Sequence, residues 1–475
     1  MASTWETVVG LEVHTELATA TKLFCGCPNR FGGEPNTHVC PVCLGLPGSL
    51  PVLNEAAVEL AMRLGRALGC AVRRSVFARK NYFYPDMPKD YQISQYDLPI
   101  NVDGELVLAS GQRVGIERAH LEEDTGKSTH VGGDGRITGA GYSLVDYNRA
   151  GVPLLEVVSR PDMRSAEEAR AYVSELRAIL LATGASDAKM EEGSLRVDAN
   201  VSVHHPGEPF GTRCEIKNVN SLRSLGRAID YEARRQIEML EAGESVRQET
   251  RHWSEADGRT HTLRTKEEAE DYRYFSEPDL VPLDPGDAWV ERIDAALPVL
   301  PAERRNRLAA AASTTDTGGA IAIAVERGLD GLALGAIAAG AEPDRVLTHV
   351  EHNLAIDGAD QLDPARLAEL VTMEHDGELT ATQAKTVLAE MVATGEPPAA
   401  IASAKGFEAM GADALSSAVD EAIAASPDEW SRFVDGDDKA RGKLTGYFVG
   451  QVMKATKGQA DDKTVTALLR QRAGA

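Results

Sequence analysis

The chain has 475 residues, 43% of them hydrophobic and 26% charged, too long for one core and too apolar for disorder, so several folded domains of about 100–200 residues are expected. Fifty Lys and Arg against 73 Asp and Glu leave a formal charge of −23, which excludes an indiscriminate polyanion binder and confines any nucleic-acid contact to a local patch. The Ala-rich stretch Gly331–Ala341 stops at Glu342 and Met1–Glu6 lacks the basic and apolar regions of a secretion signal, so a cytoplasmic protein without membrane segments is expected.

In chain order, the first predicted element is a strand. Val9, Leu11, Val13 and Leu17 interleave with Gly10, Glu12, His14 and Glu16, giving one apolar and one polar face on which Glu12, His14 and Glu16 converge. Next come Cys25-Gly-Cys27 and, after twelve intervening residues, Cys40-Pro-Val-Cys43. Two close thiol pairs across a Gly- and Pro-containing loop suit a closed structural zinc site, because Zn²⁺ takes four soft ligands tetrahedrally. Disulfides compete with that reading but are disfavoured in a reducing compartment, and His38 could replace one thiolate. Asn54 can cap a helix over 55–68 that stops at Gly69. Cys70 and Cys214 read as packing residues rather than nucleophiles.

The stretch Arg79-Lys-Asn-Tyr-Phe-Tyr-Pro-Asp-Met-Pro-Lys-Asp-Tyr-Gln-Ile-Ser-Gln95 mixes cations, amides and aromatics. It suits a site that handles phosphates and a planar base, or serves simply as a Tyr-rich connector. Glu117-Arg-Ala-His-Leu-Glu-Glu-Asp124 is a dense charged group. Gly126-Lys-Ser128 looks like the end of a P-loop, but Leu121 stands where the pattern needs Gly and no helix pattern follows, so a P-loop is excluded. Glu156 lies inside the apolar run Val152–Val158, where a carboxylate needs a cation.

Ser165 can cap a helix over 166–183 before Gly184, Leu195–Val203 alternates as a second two-faced strand, and Ser221 can cap a helix over 222–242 before Gly243. Helices against a largely antiparallel sheet make this part α+β. Beyond the Pro-rich link Pro278–Pro301 the pattern turns helical, and between Trp289 and Trp430 the only Trp, Tyr or Phe is Phe407. The end of the chain reverses the overall sign: in Lys439–Ala475 eight bases face two acids, a local balance of +6.

The acids pose an electrostatic problem. Two like charges 4 Å apart repel by about 4 kcal/mol at an effective dielectric of about 20, so the acids on these strands predict raised pKa values or a bound metal. Oxygen ligands favour Mg²⁺, while His14 keeps Mn²⁺ or a second zinc in play. A solvated, salt-bridged face is the plain alternative.

Seven motifs in order, Gly10-Leu-Glu-Val-His14, Lys80-Asn-Tyr-Phe-Tyr-Pro85, Tyr91-Gln-Ile-Ser-Gln95, His120-Leu-Glu-Glu-Asp124, Gly193-Ser-Leu-Arg196, Lys217-Asn-Val-Asn220 and Asp271-Tyr-Arg-Tyr-Phe275, resemble the GatB family of tRNA-dependent amidotransferase subunits. The tail Gly442-Lys-Leu-Thr-Gly-Tyr-Phe-Val-Gly-Gln-Val-Met-Lys454 with Lys457-Gly-Gln459 is similar to the family's end, so the resemblance spans the chain.

The resemblance implies an α+β, glutamine-synthetase-like antiparallel-sheet cradle over residues 1–294, with the zinc loop 25–43, an all-α domain over 295–405 and a small all-α, tRNA-binding tail over 406–475. It implies ATP-dependent phosphorylation of the side-chain carboxylate of Glu-tRNA(Gln) or Asp-tRNA(Asn), then amidation. The ammonia would come from a separate glutaminase subunit held by a small tethering subunit of the same heterotrimeric amidotransferase, and the absence of a glutaminase signature in this sequence fits that division. Carried over residue by residue, the Mg²⁺ site falls on Glu12, His14, Glu123 and Glu156 with Glu122 as alternate. Phosphate or substrate contacts fall on Lys80, Tyr82, Lys89, Arg149 and Lys217, zinc on Cys25, Cys27, Cys40 and Cys43, and tRNA contacts on Lys443, Lys454 and Lys457. An autonomous metal-dependent phosphoesterase and a non-catalytic tRNA-binding assembly protein are the rival readings.

Overall fold

The computed structural model describes residues 5–132, 139–265, 272–407, 412–436, 438–456, 460 and 462–474. The chain divides into two compact units, Met1–Pro301 and Ala302–Ala475.

The first unit is built on strands β1 (Glu6–Glu16), β2 (Ala71–Val72), β3 (Ala78–Asn81), β4 (Tyr91–Ser94), β5 (Asn101–Val107), β6 (Arg113–Glu123), β7 (Lys127–Val131), β8 (Tyr142–Asp146), β9 (Pro153–Ser159), β10 (Leu195–His204), β11 (Cys214–Val219), β12 (Glu249–Ser254), β13 (Arg259–Thr265) and β14 (Phe275–Ser276). Twelve of them form one sheet whose main path runs β13-β12-β11-β10-β1-β9-β6-β4-β3-β14, with β5 on β6 and β2 on β5. The sheet is antiparallel except where β11 meets β12. β7 and β8 form a separate hairpin, so Lys127 and Ser128 lie on a strand, which agrees with the exclusion of a P-loop.

Period-two alternation sorts the sheet into two faces. Val9, Leu11 and Val13 of β1, Leu155 and Val157 of β9, Ala119 and Leu121 of β6, and Val197, Ala199 and Val201 of β10 point into one core. Helices α1 (Glu55–Ala67), α2 (Ala166–Thr183) and α3 (Leu222–Glu241) cover that face with Ala61, Met62, Val173, Leu176, Leu225 and Ile229. Their starts are those read from the sequence: the side chains of Asn54, Ser165 and Ser221 accept from Ala56, Glu168 and Ser224. Gly184, at φ 65°, ends α2 in the left-handed conformation that a Cβ disfavours. A fourth helix, α4 (Asp287–Ala295), adds Ile293 to the same core.

The second unit is helical among the described residues. Helices α5 (Pro301–Ala311), α6 (Gly319–Glu326), α7 (Asp330–Ala338), α8 (Pro343–His352), α9 (Pro364–His375), α10 (Ala381–Thr394) and α11 (Pro398–Ala404) share a core of Leu308, Val346, Leu370, Val387, Leu388 and Ile401. Helices α12 (Ala412–Ala425), α13 (Pro427–Asp435), α14 (Asp438–Ala455) and α15 (Asp462–Ala473) enclose another, with Val419, Phe433, Phe448, Val452 and Leu469. No helix among the described residues is long and apolar enough to cross a membrane.

Helix α1 sits close on the sheet because Gly65 faces Asn101, a fully buried amide whose Nδ2 donates to Ala61 O and Ala119 O at 3.0 Å each. A Cβ at Gly65 would lie 2.0 Å from Asn101 Oδ1, and the amide cannot swing away without breaking both bonds. Gly65→Ala should therefore destabilise the chain by about 1–3 kcal/mol, read as a lower urea midpoint. An unchanged midpoint would show that this seat is not tight.

Candidate active site

On the face of the sheet that carries no helix core, the strand register lines up polar side chains in rungs. Arg196, His14, Glu156 and His120 are successive partners across β10, β1, β9 and β6. In the next rung Glu122 pairs with Ser94 on one side and Leu154 on the other, and Leu154 pairs with Glu16. Glu12, on the other side of the first rung, is opposite Asp198.

The rungs bring His14, Glu122 and Glu156 into one group, each offering a ligand atom within 4.8 Å of the others. His14 Nε2 is 3.6 Å from Glu156 and 3.9 Å from Glu122. His120 Nε2 stands 3.4 Å from Glu156 and 3.9 Å from Glu122, and its Nδ1 is buried without a hydrogen-bond partner. Burial opposes a charge on either ring, and the two histidines resolve it differently. Glu156, by hydrogen bond and charge, and then Glu122, raise His14 to about 9. Burial dominates for His120 and lowers it to about 4, leaving a neutral imidazole at pH 7. Burial and repulsion from Glu156 push Glu122 up to about 7. Glu156 is held below the usual carboxylate range despite burial, by His120 and His14.

Glu12 belongs to an adjoining group with Asp198 and Glu215. Burial and the neighbouring acids Glu156, Glu215 and Asp198 raise its pKa. Lys217 bridges two of these acids, at 2.5 Å from Asp198 and 3.0 Å from Glu215. Further along the face, Asp124 receives Arg196 at 2.7 Å and Arg149 at 3.4 Å. These two cations keep Asp124 ionised against burial, whereas burial and Asp124 together push Glu16 up to about 7.

Glu123 departs from the expected ligand set. It follows Glu122 on β6, so alternation sends it to the other side of the strand. There it accepts from Lys89 Nζ at 2.6 Å and from the Ile93 backbone N–H at 3.0 Å. Glu122, expected only as an alternate, is the residue in the cluster, and Lys89 is engaged in a buried ion pair. Lys80 is placed near the cluster, where its charge favours ionised Glu122 and Glu156, with its ammonium 4.5 Å from the Tyr272 ring centroid. Tyr82 lies against Tyr84 with centroids 4.6 Å apart.

The four cysteines 25, 27, 40 and 43 also converge, with Sγ atoms within 4.8 Å of one another, and no Cys in the chain forms a disulfide. A hydrogen bond from Cys25 draws the Cys43 thiol well below its ordinary range, against burial, and bonding by Cys40 and the Lys22 charge assist. His38 is not part of this group; its ring meets Arg30 at 3.3 Å. The first pair is fixed by Lys22 N–H donating to Cys27 O and by Asn54 Nδ2 donating to Thr21 and Lys22 carbonyls. The fully buried Lys22 ammonium reaches Ala150 O at 2.7 Å, and Asn148 Oδ1 accepts from the His38 N–H. The cysteine loop thus buttresses the turn that presents Arg149. Cys70 and Cys214 are buried, and burial raises each thiol to about 12, as befits packing residues.

In the second unit, Lys443 and Lys454 are exposed on α14, whereas Lys457 lies outside the described residues. Two other bases of this segment serve the fold: Arg441 donates to the Phe433 and Val434 carbonyls and Arg472 pairs with Asp420.

Sequence reasoning gave no site role to His120, Asp198 or Glu215, although His120 stands in one of its motifs. His120 precedes Glu122 by two on one strand and Asp198 is on the polar side of the alternating run 195–203, so spacing alone carried the signal for both. Glu215 depended on a register that no local pattern specifies.

The Lys89–Glu123 pair is nearly dry, at 7% and 2% side-chain exposure. Removing one partner strands a buried charge, so Glu123→Gln should cost about 3–5 kcal/mol. Lys89→Met together with Glu123→Leu should recover most of it. Denaturant titration of the two variants checks this, and equal losses in both would contradict it.

A family model of the GatB/GatE catalytic domain matches residues 7–291, and one of the GatB domain matches residues 346–472. The GatB subunit of the aspartyl/glutamyl-tRNA(Asn/Gln) amidotransferase of Salinispora arenicola is 51% identical over 489 aligned positions, covering 99% of this chain and 97% of the relative. Its counterpart in Anaeromyxobacter dehalogenans is 49% identical, with 99% of each chain covered. That of Nocardia farcinica is 50% identical, covering 98% of this chain and 95% of the relative. With matches of this extent along both units, the chain belongs to the GatB family of aspartyl/glutamyl-tRNA(Asn/Gln) amidotransferase subunits.

Proposed function

We propose that this chain amidates Glu on tRNA(Gln), Asp on tRNA(Asn), or both, as the ATP-dependent subunit of a glutamine-dependent carbon–nitrogen ligase. The observation that carries the reading is the His14–Glu122–Glu156 cluster on a polar sheet face, inside a chain matched to GatB along its length. A carboxylate resists ammonia because its anion is a poor electrophile and oxide a poor leaving group. In the proposed sequence a carboxylate oxygen takes the γ-phosphoryl group and ADP leaves. Ammonia then attacks the acyl carbon, phosphate departs, and the nitrogen loses a proton.

Two carboxylates and an imidazole converging on one point suit a divalent oxygen-seeking ion such as Mg²⁺, which would take the place of the proton on His14. We assign its ligands to His14, Glu122 and Glu156, with Glu12 beside them. Bound there, the ion would neutralise charge where the phosphate and carboxylate meet. Lys80 and Arg149 are assigned to anionic groups of the substrates, and Tyr82 to the substrate-facing wall. Lys89 and Lys217, already salt-bridged, act by holding Glu123 and the Glu12 group in place. The four thiols suit structural Zn²⁺.

We assign residues 1–294 as the catalytic, glutamine-synthetase-like cradle, 295–405 as a helical domain and 406–475 as a tail in which Lys443, Lys454 and Lys457 meet tRNA phosphates. The partners are a glutaminase subunit, a small tethering subunit and the misacylated tRNAs, and the compartment is the cytoplasm.

The decisive assay supplies free ammonia in place of glutamine to the assembled enzyme with ATP and Glu-tRNA. Amide formation is expected, and His14→Ala or Glu156→Gln should lower its rate by roughly 100-fold or more. Undiminished amidation by both variants would refute the assignment.

The cluster also fixes a pH dependence. His14 is protonated below about 9 and Glu122 below about 7, so a divalent ion must displace the His14 proton at pH 8 and both protons at pH 6. Mn²⁺ affinity should rise about tenfold per pH unit between those two pKa values and more steeply below the lower one. Titration of free Mn²⁺ by electron spin resonance measures it, and a pH-independent affinity would contradict the ligand set.

A further inference from the structure

The chain enters β14 through a short arch, residues 272–274, whose middle residue is strained. Phe275 of β14 pairs with Arg79 of β3, so the arch runs past Lys80 and Asn81. Arg273 has a φ of 46°, a left-handed backbone that is unfavourable for a residue with a Cβ and persists only where the surroundings impose it. Two clamps do so here. Asn81 Nδ2 donates to the Tyr272 carbonyl at 2.8 Å and to the Arg273 carbonyl at 2.9 Å, and the Tyr274 ring stacks on Tyr96 with centroids 4.2 Å apart and planes at 9°. The turn sets the Tyr272 and Tyr274 rings edge to face, 6.0 Å apart at 71°, and Tyr274 is close enough to Glu122 and Glu156 to sense their charge.

What the arch holds is a cation. Ala78 pairs with Ser94 and Ser94 with Glu122, so Lys80, two residues beyond Ala78, shares the face of Glu122. Its charge favours the ionised forms of Glu122 and Glu156. Yet among the described residues Lys80 bonds to no carboxylate, unlike Lys89, Arg149, Arg196 and Lys217, each of which is tied to one. The Lys80 ammonium lies instead 4.5 Å from the centroid of the Tyr272 ring. A ring face attracts an ammonium through its quadrupole and leaves its charge uncancelled, whereas a carboxylate would take up its N–H groups.

We propose that Tyr272 is a positioning residue of the amidation: its ring, fixed by the Asn81 clamp on the strained arch, keeps the Lys80 ammonium beside the acids with its N–H groups uncommitted, for the anionic oxygens that meet there. The inference rests on the amidation reading. It gives Tyr272 no contact with either substrate, only an action through Lys80. The strain at Arg273 then has a purpose, because a relaxed turn would release the ring and leave the ammonium to pair with Glu122 or Glu156.

The test uses the assembled enzyme with free ammonia, ATP and Glu-tRNA, in steady state and in single turnovers. Tyr272→Phe keeps the ring and should hold kcat within about twofold of the parent, whereas Tyr272→Leu should lower kcat about tenfold with both KM values within about twofold. Lys80→Met should lower the single-turnover rate at least as much, and adding Tyr272→Leu to it should change that rate no further. Mono-, di- and trifluorinated phenylalanine at position 272 keep the shape of the ring, and so the fold, while draining electron density from its face. The rate should fall with each fluorine when Lys80 is present and stay flat over Lys80→Met. Equal losses in both backgrounds, a rate indifferent to fluorine, or a raised KM with kcat unmoved overturns the proposal. An unmodified enzyme that forms no amide from these three substrates overturns the amidation reading itself.

Discussion

The structure depends on a repulsion that the sheet register imposes. Glu12, Glu122 and Glu156 occupy neighbouring positions on β1, β6 and β9, and side chains two residues apart, or opposite one another, must share a face. The backbone hydrogen bonds and the apolar core on the far side fix those strands, so the acids cannot separate without unmaking the sheet. Their charge is relieved locally, by a proton on His14, a raised pKa at Glu122 and the cations Lys80 and Lys217. A face so arranged attracts cations and holds anionic substrates only when a cation mediates, which is the electrostatic requirement of joining a carboxylate to a phosphate.

The supporting parts divide between rigidity and reach. The buried Lys89–Glu123 pair and the Asp124–Arg196–Arg149 group flank the acids and anchor the last residues of β6. The cysteine loop carries no residue of the acidic cluster, but through Lys22 and Asn148 it braces the turn from which Arg149 projects. The cysteine loop, distant in sequence, is thereby tied to the turn that carries Arg149, whose guanidinium is held by the Thr125 and Gly126 carbonyls and by Asp124.

Much of this was legible in the sequence, and the reason is local periodicity. The caps at Asn54, Ser165 and Ser221, the two-faced strands around residues 9–17 and 195–203, and the four-cysteine loop are short-range patterns, and each occurs where its spacing places it. The Glu122–Glu123 choice turned on strand parity, which the spacing from His120 already contained. The glutamate carried over by resemblance was the one that parity directs away. Glu215 and the register shift of β6 on β9 between Ile116 and Arg118 were not readable, because they depend on which strands become neighbours and where one ladder slips by a residue. Those are properties of pairing between distant segments, which no local window encodes.

One amide does two jobs. Asn54 caps α1 with its oxygen while its nitrogen ties down the Thr21 and Lys22 carbonyls at the root of the first cysteine pair. Helix and loop root therefore behave as a single mechanical piece, and the second cysteine pair is pinned separately through His38 to Asn148. Between those two clamps the mostly exposed run 29–37 is itself tied down, Asn29 donating to the Leu17 carbonyl and Asn36 bonding to Asp146, Val145 and Tyr147. Only the short stretch between Asn29 and Glu34, where Phe31 stands exposed, lies between those ties, so a change of length there is the one this part of the chain can absorb at least cost.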